Sequence, residues 1–167
     1  NSLYDGIPTL RVMDDMAERR ETQISVRGDY RHRGDKVTAG VPHILPPLPA
    51  SEKTNRLALA RWLVDPRHPL LSRVTVNRYW ALYFGTGLVK TPSDFGLRAD
   101  PPSHPELLDW LARRLVEEQW SVKAMHRLIL SSAVYQQGSV NSIGNSKNST
   151  GSDDADNRLL AHFPLRR

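Results

Sequence analysis

Residues 72–84 read Ser-Arg-Val-Thr-Val-Asn-Arg-Tyr-Trp-Ala-Leu-Tyr-Phe and give the clearest helix signal in the chain. The large apolar residues recur at the i, i+3, i+4, i+7 and i+8 spacing of one helix face. They are Val76, Tyr79, Trp80, Tyr83 and Phe84. Ser72 is predicted to cap the start of this helix, and Gly85 to end it in a left-handed turn. A helix with this much apolar surface must pack against other elements.

A second helix pattern follows after a loop. Ser103 and Glu106 have the spacing of a capping box, and Pro105 is tolerated in the first helical turn. An apolar stripe then runs along the pattern through Leu108, Leu111, Ala112 and Leu115. Asp109 and Arg113 are four residues apart, so they are predicted to pair on the outer surface.

Two further helices are predicted, one on each side of this pair. The first lies within residues 51–64, with Thr54 as its cap. Its predicted buried stripe consists of Leu59, Trp62 and Leu63. The other is predicted to run from Ser121, its cap, to about Gln136.

Residues 1–50 are predicted to form an extended arm, in which Asp14–Arg20 could form one or two helical turns. Two short β-favouring runs, Thr9–Met13 and Thr22–Arg27, could pair as a small hairpin. Prolines are dense in residues 42–49, which favours polyproline-like extended chain. The arm is therefore expected to contribute irregular structure to a mainly α protein.

The predicted organisation places a helical core of about four packed helices in residues 51–137, preceded by the arm. Residues 138–152 are rich in Ser, Asn and Gly and are predicted to form a flexible linker or surface loop. Residues 153–167 are predicted to be a docking segment or the start of a truncated helix. The fold class expected from the sequence is mainly α.

Composition excludes some kinds of chemistry and leaves others open. The chain has no Cys, which rules out disulfides, thiolate metal sites and c-type haem attachment within it. It has no apolar run long enough to span a membrane. The net charge is +5, and 18 of the 23 basic residues are Arg. Polyanion binding is one interpretation, but the basic residues are dispersed, so a nucleic-acid partner is not expected.

Short motifs in the chain have ordinary structural explanations. Asp94-Phe-Gly96 resembles a kinase magnesium motif, but the other kinase motifs are missing, so the stretch is predicted to be a turn with Pro92 at its second position. The triplet Arg-Gly-Asp occurs twice, at 27–29 and 33–35, and turn formation is the default interpretation. No two of the six His have metal-binding helical spacing, so neither a metal site nor a catalytic residue is predicted.

The polar residues of greatest interest flank the central loop. Asn77 and Arg78 lie on the first helix, Asp94 on the loop, and His104 just before the second helix. One hypothesis is that Arg78 and Asp94 form a partly buried ion pair that holds the loop against the helix. The other is that the four residues line a pocket for an anionic or sugar ligand.

Seven stretches of the chain together resemble a known family. They are Arg27-Gly-Asp-Tyr, Gly34-Asp-Lys-Val, Gly40-Val-Pro, Asn55-Arg-Leu-Ala-Leu-Ala-Arg-Trp-Leu-Val, Asn77-Arg-Tyr-Trp, Gly87-Leu-Val-Lys-Thr-Pro-Ser-Asp-Phe-Gly and Pro102-Ser-His-Pro-Glu-Leu-Leu-Asp-Trp-Leu-Ala. This pattern resembles the C-terminal domain of unknown function in large exported planctomycete-type proteins.

The resemblance implies a fragment of a multidomain protein in an extracytoplasmic setting. Its implied partners are upstream domains of the same polypeptide, often including a cytochrome-c-like domain, so haem would reside on that domain and not on this chain. The resemblance supplies no catalytic residues. The leading expectation is a non-catalytic accessory or interaction module. The alternatives are a hydrolase-like or carbohydrate-processing domain with a site near Asn77–His104, and a polyanion-binding module.

Overall fold

The computed structural model describes residues 12–16, 18–49 and 53–138, together with Asn157, Leu160 and Phe163. The described part contains four α-helices and one two-stranded antiparallel sheet, which confirms the predicted mainly α fold with an N-terminal hairpin. The helices are α1 (Arg56–Leu63), α2 (Leu71–Phe84), α3 (Pro105–Glu117) and α4 (Val122–Leu130), and the strands are β1 (Thr22–Ser25) and β2 (Arg33–Val37). The chain divides into two compact units, Asn1–Leu63 and Val64–Arg167.

The hairpin of the first unit pairs β1 with β2 in antiparallel register. Thr22 lies opposite Val37, and the register shifts at an irregularity between Gln23 and Ser25. The partner of β1 is thus β2 and not the earlier run Thr9–Met13, whose described residues lie outside any strand. No residue of either strand is buried, so the hairpin contributes backbone pairing rather than a core.

Helix α1 buries two residues of the first unit, Ala58 and Trp62. The Trp62 indole N–H donates to the Pro46 carbonyl over 2.6 Å, which ties the proline-rich segment to the helix. The predicted cap was wrong, because Asn55 rather than Thr54 accepts a hydrogen bond from the Ala58 N–H, at 2.8 Å. The predicted stripe was also wrong at one position. Leu59 is 44% exposed. The two buried residues of this short helix, Ala58 and Trp62, are four positions apart on one face, and Leu59 lies outside that face.

The core of the second unit is built around α2. Val76, Trp80 and Phe84 are buried, and Tyr79 and Tyr83 pack partly buried against the same cluster, which confirms the predicted helix face. The other buried members come from the loop after α2 and from α3 and α4: Leu88, Val89, Leu108, Leu111, Ala112, Leu115, Met125 and Ile129.

The two ends of α2 differ in how well the sequence predicted them. Gly85 ends the helix with a φ of 79°, as predicted. Ser72 is not the cap, however. It lies inside the helix and is buried, whereas the imidazole Nδ1 of His68 accepts from the N–H groups of Leu70 and Leu71, at 3.4 Å each. A residue upstream of the predicted cap therefore satisfies the free N–H groups of the first turn.

Helix α3 begins at Pro105 without the predicted capping box. His104 occupies the N-cap position and forms no side-chain cap bond, and the Ser103 hydroxyl lies 3.1 Å from His104 Nδ1 instead. The predicted pair between Asp109 and Arg113 was also wrong. Asp109 pairs with Arg73 of α2, Nε to Oδ1 at 2.7 Å, because the packed helices bring that guanidinium closer than the one on the same helix.

Helix α4 is capped as predicted but ends earlier. The Ser121 hydroxyl accepts from the Ala124 N–H at 3.3 Å. The helix ends at Leu130 rather than near Gln136, and turns follow it. The Ser132 hydroxyl donates to the Ile129 carbonyl at 2.6 Å and accepts from the Tyr135 N–H, bonds that compete with the helical pattern.

Three described residues near the end of the chain contribute to the second unit. Leu160 and Phe163 pack against its core, and the Phe163 N–H donates to the Gly138 carbonyl at 3.2 Å. Apart from Gly138, the predicted linker 138–152 lies outside the described residues. The same holds for most of the predicted docking segment 153–167. Among the helices described, none is long and apolar enough to cross a membrane.

Candidate functional site

Asn77, the first of the predicted site residues, is completely buried on α2. Its side-chain amide donates from Nδ2 to the Val89 carbonyl at 3.0 Å and accepts at Oδ1 from the Val89 N–H at 2.9 Å. The side-chain amide thus bonds to both the N–H and the carbonyl of Val89, as the backbone of a neighbouring strand would. These two backbone groups would be costly to bury without a partner. We call this pair of bonds the Asn77–Val89 clamp.

Gly87 makes the clamp sterically possible. A β-carbon at position 87 would lie 2.7 Å from the Asn77 Nδ2, from its Oδ1 and from the Val89 carbonyl oxygen. Such distances are too short for non-bonded atoms, so any side chain there would push Asn77 away from Val89. The closely spaced glycines 85 and 87 were the sequence signal for this approach, but only Gly85 was predicted to have a role.

Arg78 follows Asn77 on α2 and is exposed. Although both residues belong to the described part of the chain, no ion pair joins Arg78 to Asp94, so the predicted structural pair was wrong. Adjacent helix residues are rotated by about 100°, so when Asn77 and Val76 face the core Arg78 is directed to solvent.

Asp94 belongs to the turn predicted at Thr91–Gly96. The Asp94 N–H donates to the Thr91 carbonyl at 3.0 Å, which places Pro92 at the second turn position as expected. The carboxylate Oδ1 accepts from the Gly96 N–H at 2.8 Å, and the Thr91 hydroxyl donates to the Asp94 carbonyl at 2.9 Å. Asp94 is therefore a local turn residue that stabilises its own loop.

A groove in the second unit has a volume of about 380 Å³ and is lined by residues around the start of α2, from the loop after α2 and from the start of α3. Its lining includes Pro69, Leu70, Phe95, Pro101, Pro102 and Pro105. We call it the proline groove. Asn77, Arg78, Asp94 and His104 do not line it, although their sequence neighbours do.

The ion pair Arg73–Asp109 lines the proline groove and also a second cavity of about 570 Å³. The hydrogen bond from Arg73 holds the pKa of Asp109 below its usual value, and the Arg73 Nη1 also donates to the Pro69 carbonyl at 2.6 Å. Sequence periodicity could not have shown this pair, because its members are 36 residues apart. Asp109 is thus held as a carboxylate and is poorly suited to donate a proton.

The charges of the second cavity are largely balanced by local partners. Arg67 donates to both carboxylate oxygens of Asp65, at 3.0 and 2.9 Å. The bond from the Arg67 side chain is the main reason that the pKa of Asp65 is lowered to about 2. Two of the three arginines that line this cavity, Arg67 and Arg73, already pair with carboxylates, so it attracts an anionic ligand less than its composition suggests.

No group of three or more His, Asp or Glu side chains in the described part of the chain could hold a metal ion. Ser103 and His104 are in contact, but no described carboxylate bonds to His104 as the orienting third group of a triad would.

The two Arg-Gly-Asp triplets lie in the hairpin of the first unit. In the first, Asp29 accepts from the Arg31 N–H at 2.9 Å and contacts His32 Nδ1 at 2.8 Å, so its carboxylate is used within the turn. The second triplet spans residues 33–35 of β2 and forms part of a strand. The second triplet is therefore strand backbone, whereas the first lies in the exposed turn between the two strands.

Comparison with known families places the chain in one of them. The family model described as PSD1, Protein of unknown function (DUF1553), matches residues 55–167, which is more than half of the chain. The chain therefore belongs to this family of unknown function. No curated protein matches the chain, and no solved structure matches it.

Proposed function

We propose that this chain is a non-catalytic interaction module of a larger exported multidomain protein. In this proposal, the proline groove binds an extended segment of another domain in the same polypeptide. The observation that carries the proposal is the groove itself, which combines a mainly apolar, proline-rich lining with a place on the surface. Prolines lose little conformational freedom on binding, so such a groove is preorganised for a partner.

Exposed apolar side chains at the groove support this function. Leu70 lines the groove and is 39% exposed. Leu97 is fully exposed and follows the groove residues Phe95 and Gly96 in the chain. Contiguous exposed apolar surface marks sites of interaction more often than isolated residues do. In the turn at Thr91–Gly96, the Thr91 hydroxyl and the Asp94 carboxylate are already engaged in local hydrogen bonds, so they are less available to act on a substrate.

Site-specific crosslinking in the full-length protein tests this proposal. A photoreactive benzoylphenylalanine at Leu97 should form crosslinks to peptides from an upstream domain, identified by mass spectrometry. The matched control carries the same group at Val122, an exposed apolar residue of α4 that does not line the groove. Crosslinks of equal yield from both positions, or none from Leu97, would contradict the proposal.

We also propose that the setting is extracytoplasmic and that a cytochrome-c-like domain of the same polypeptide is one partner. The similarity of the quoted motifs to planctomycete-type exported proteins supports this. Because the chain has no Cys, a c-type haem would have to attach elsewhere in the polypeptide. The purified chain should show no Soret absorption, and the full-length protein should show it. A Soret band from the isolated chain would refute the assignment.

A carbohydrate-processing function is the second candidate, favoured by one observation. Asp100 and Asp109 line the same groove, and glycoside hydrolysis uses a pair of carboxylates. Reducing-sugar release from a panel of polysaccharides tests it, with Asp100→Asn as the inactivating variant and Asp35→Asn in the hairpin as the control. Activity lost only in Asp100→Asn would establish the enzyme and replace the module.

Polyanion binding is the third candidate, and its support lies in the first unit. A cavity there of about 630 Å³ is lined by Arg19, Arg20 and Lys53 together with Asp15. Arg56 already pairs with Asp15 at 2.8 Å, so the carboxylate does not balance the other three cations. Elution from a heparin column at lower salt after Arg19→Gln with Arg20→Gln, but not after Lys90→Gln with Lys123→Gln, would support this function.

A further inference from the structure

The turn that joins β1 to β2, residues 26–32, together with Arg33 at the start of β2, has a defined backbone and carries unusual charge. The Val26 N–H donates to the His32 carbonyl at 2.9 Å, and the Asp29 N–H donates back to Val26 at 3.0 Å. Arg27 has a φ of 53°, a left-handed conformation that costs energy for a residue with a side chain. We call this turn the hairpin tip. Its conformation is fixed by hydrogen bonds and does not depend on a core.

Three arginines of the hairpin tip, Arg27, Arg31 and Arg33, are exposed. None of them forms an ion pair with a carboxylate in the part of the chain that the structure describes. At the base of the hairpin, by contrast, Lys36 pairs with Glu21 at 2.9 Å. The positive charge is therefore balanced at the base and unbalanced at the tip.

The Asp29 carboxylate, which lies within the hairpin tip, already has hydrogen-bond partners in the turn. Its hydrogen bond from the Arg31 backbone N–H, followed by its contact with His32, holds its pKa below the usual value. These bonds direct the carboxylate into the turn and leave the three guanidinium groups available to a partner.

Tyr30 adds an exposed ring to the same surface. Its side chain is 73% exposed, and the Arg31 guanidinium lies 5.4 Å from the ring centroid while its Nε donates to the Tyr30 hydroxyl at 3.2 Å. Tyr and Arg are the residue types enriched among the energetically dominant residues of protein–protein interfaces. The contact between them fixes both side chains before any partner arrives, which lowers the entropy lost on binding.

We propose that the hairpin tip is a docking site for an acidic, extended segment of a protein. The planar fork of Arg bonds carboxylates through two N–H groups, so three guanidinium groups that pair with no described carboxylate select a run of Glu or Asp. No third strand pairs with the hairpin among the described residues, so an extended segment could also bond to a strand edge. A single exposed ring, with Arg31 against it, gives no platform for successive bases, which argues against single-stranded nucleic acid.

Fluorescence anisotropy with a labelled peptide of alternating Glu and Thr tests this site in the full-length protein. The test variant carries Arg27→Gln, Arg31→Gln and Arg33→Gln. The control carries Lys90→Gln, Lys123→Gln and Arg127→Gln, three exposed cations of the second unit with the same total change in charge. Both variants replace exposed side chains, and a thermal melt of each checks that the fold is retained.

The tip variant should bind the peptide about tenfold more weakly, and the control should change less than about twofold. A peptide of Gln and Thr should not bind. Equal losses in the two variants would overturn the proposal, because the peptide would then respond only to net charge. So would a heparin fragment or an oligothymidine of matched charge that binds the tip more tightly than the acidic peptide. The crosslinking result at Leu97 is independent of these outcomes, because it probes the other unit.

Discussion

The first unit and the second unit are stabilised by different kinds of interaction. In the second unit, α2, α3 and α4 bury a continuous apolar cluster, and the Asn77–Val89 clamp lies inside it. In the first unit, the described residues bury only Ala58 and Trp62, and the hairpin buries nothing. The interactions found in that unit are the backbone pairing of β1 with β2, the hydrogen bond from Trp62 to the Pro46 carbonyl, and exposed ion pairs.

This difference shows where a substitution should have a large effect. A buried polar group that loses its partner costs far more than an exposed ion pair contributes, because water cannot replace the partner in the core. Changes at the clamp should therefore destabilise the second unit strongly. Changes to exposed charges of either unit should have small effects on folding, which leaves those charges available for binding.

Replacing Asn77 should have the largest effect. Asn77→Ala leaves the buried N–H and carbonyl of Val89 without partners, and each such group costs about 1–3 kcal/mol. The free energy of unfolding should fall by about 2–5 kcal/mol, measured by urea denaturation. Arg78→Ala on the exposed face is the control, with an expected change within about 0.5 kcal/mol. Similar losses of unfolding free energy in the two variants would contradict the stabilising role of the Asn77–Val89 clamp.

Adding one methyl group at Gly87 should have the next largest effect. A β-carbon there would overlap the Asn77 amide and the Val89 carbonyl, and overpacking of this kind costs about 1–3 kcal/mol. Gly40→Ala is the matched control, since its β-carbon would meet no atom within 4 Å. Equal unfolding midpoints for Gly87→Ala and the unaltered chain would show that the loop accommodates the added carbon without strain.

Trp62→Phe tests the first unit and should have a smaller effect. The variant keeps an aromatic ring but loses the hydrogen bond to the Pro46 carbonyl, at a cost of about 0.5–1.5 kcal/mol. Cleavage by a protease within residues 38–49 should become faster, because the segment loses its attachment to α1. Trp110→Phe is the control, because Trp110 is 46% exposed on α3 and belongs to the second unit. Unchanged cleavage in Trp62→Phe would contradict the role of this bond.

The smallest expected effect concerns pH and the pair Asp65–Arg67. The pKa of Asp65 is about 2 in the folded chain, below its value of 3.8 when unperturbed, so the folded state binds fewer protons. Its contribution to stability is present in full above about pH 4 and is lost as the pH falls through about 2. Asp65→Asn should therefore flatten the dependence of the unfolding free energy on pH in this window. If the unfolding free energy of Asp65→Asn depended on pH as that of the unaltered chain does, the stabilising role of the Asp65–Arg67 pair would be contradicted.

The sequence predicted helices better than their ends or their polar contacts. The apolar face of α2 and the Gly85 turn follow from local periodicity and backbone freedom, and both are confirmed. The caps Ser72 and Thr54 were wrong because the N–H groups at a helix start donate to whichever neighbouring acceptor the fold brings close. His68 and Asn55 supply it here.

The sequence could not predict the polar pair between Arg73 and Asp109, but it did contain a local signal for the position of Arg78. Nothing in the periodicity relates Arg73 to Asp109, since only the packing of α2 on α3 brings them together. Arg78, however, lies two residues beyond the buried Val76, a rotation of about 200° that already directs it away from the core. The apolar spacing alone therefore indicated that Arg78 faces solvent rather than the core.

Hydrogen exchange at the Val89 amide tests the central claim most directly, namely that Asn77 and not Arg78 holds the loop against α2. The Val89 N–H is bonded to a fully buried side chain, so it should exchange as slowly as the core amides of α2. Protection should persist in Arg78→Ala and Asp94→Ala and be lost in Asn77→Ala. Fast exchange of Val89 in the unaltered chain, or loss of its protection in Arg78→Ala, would contradict the account.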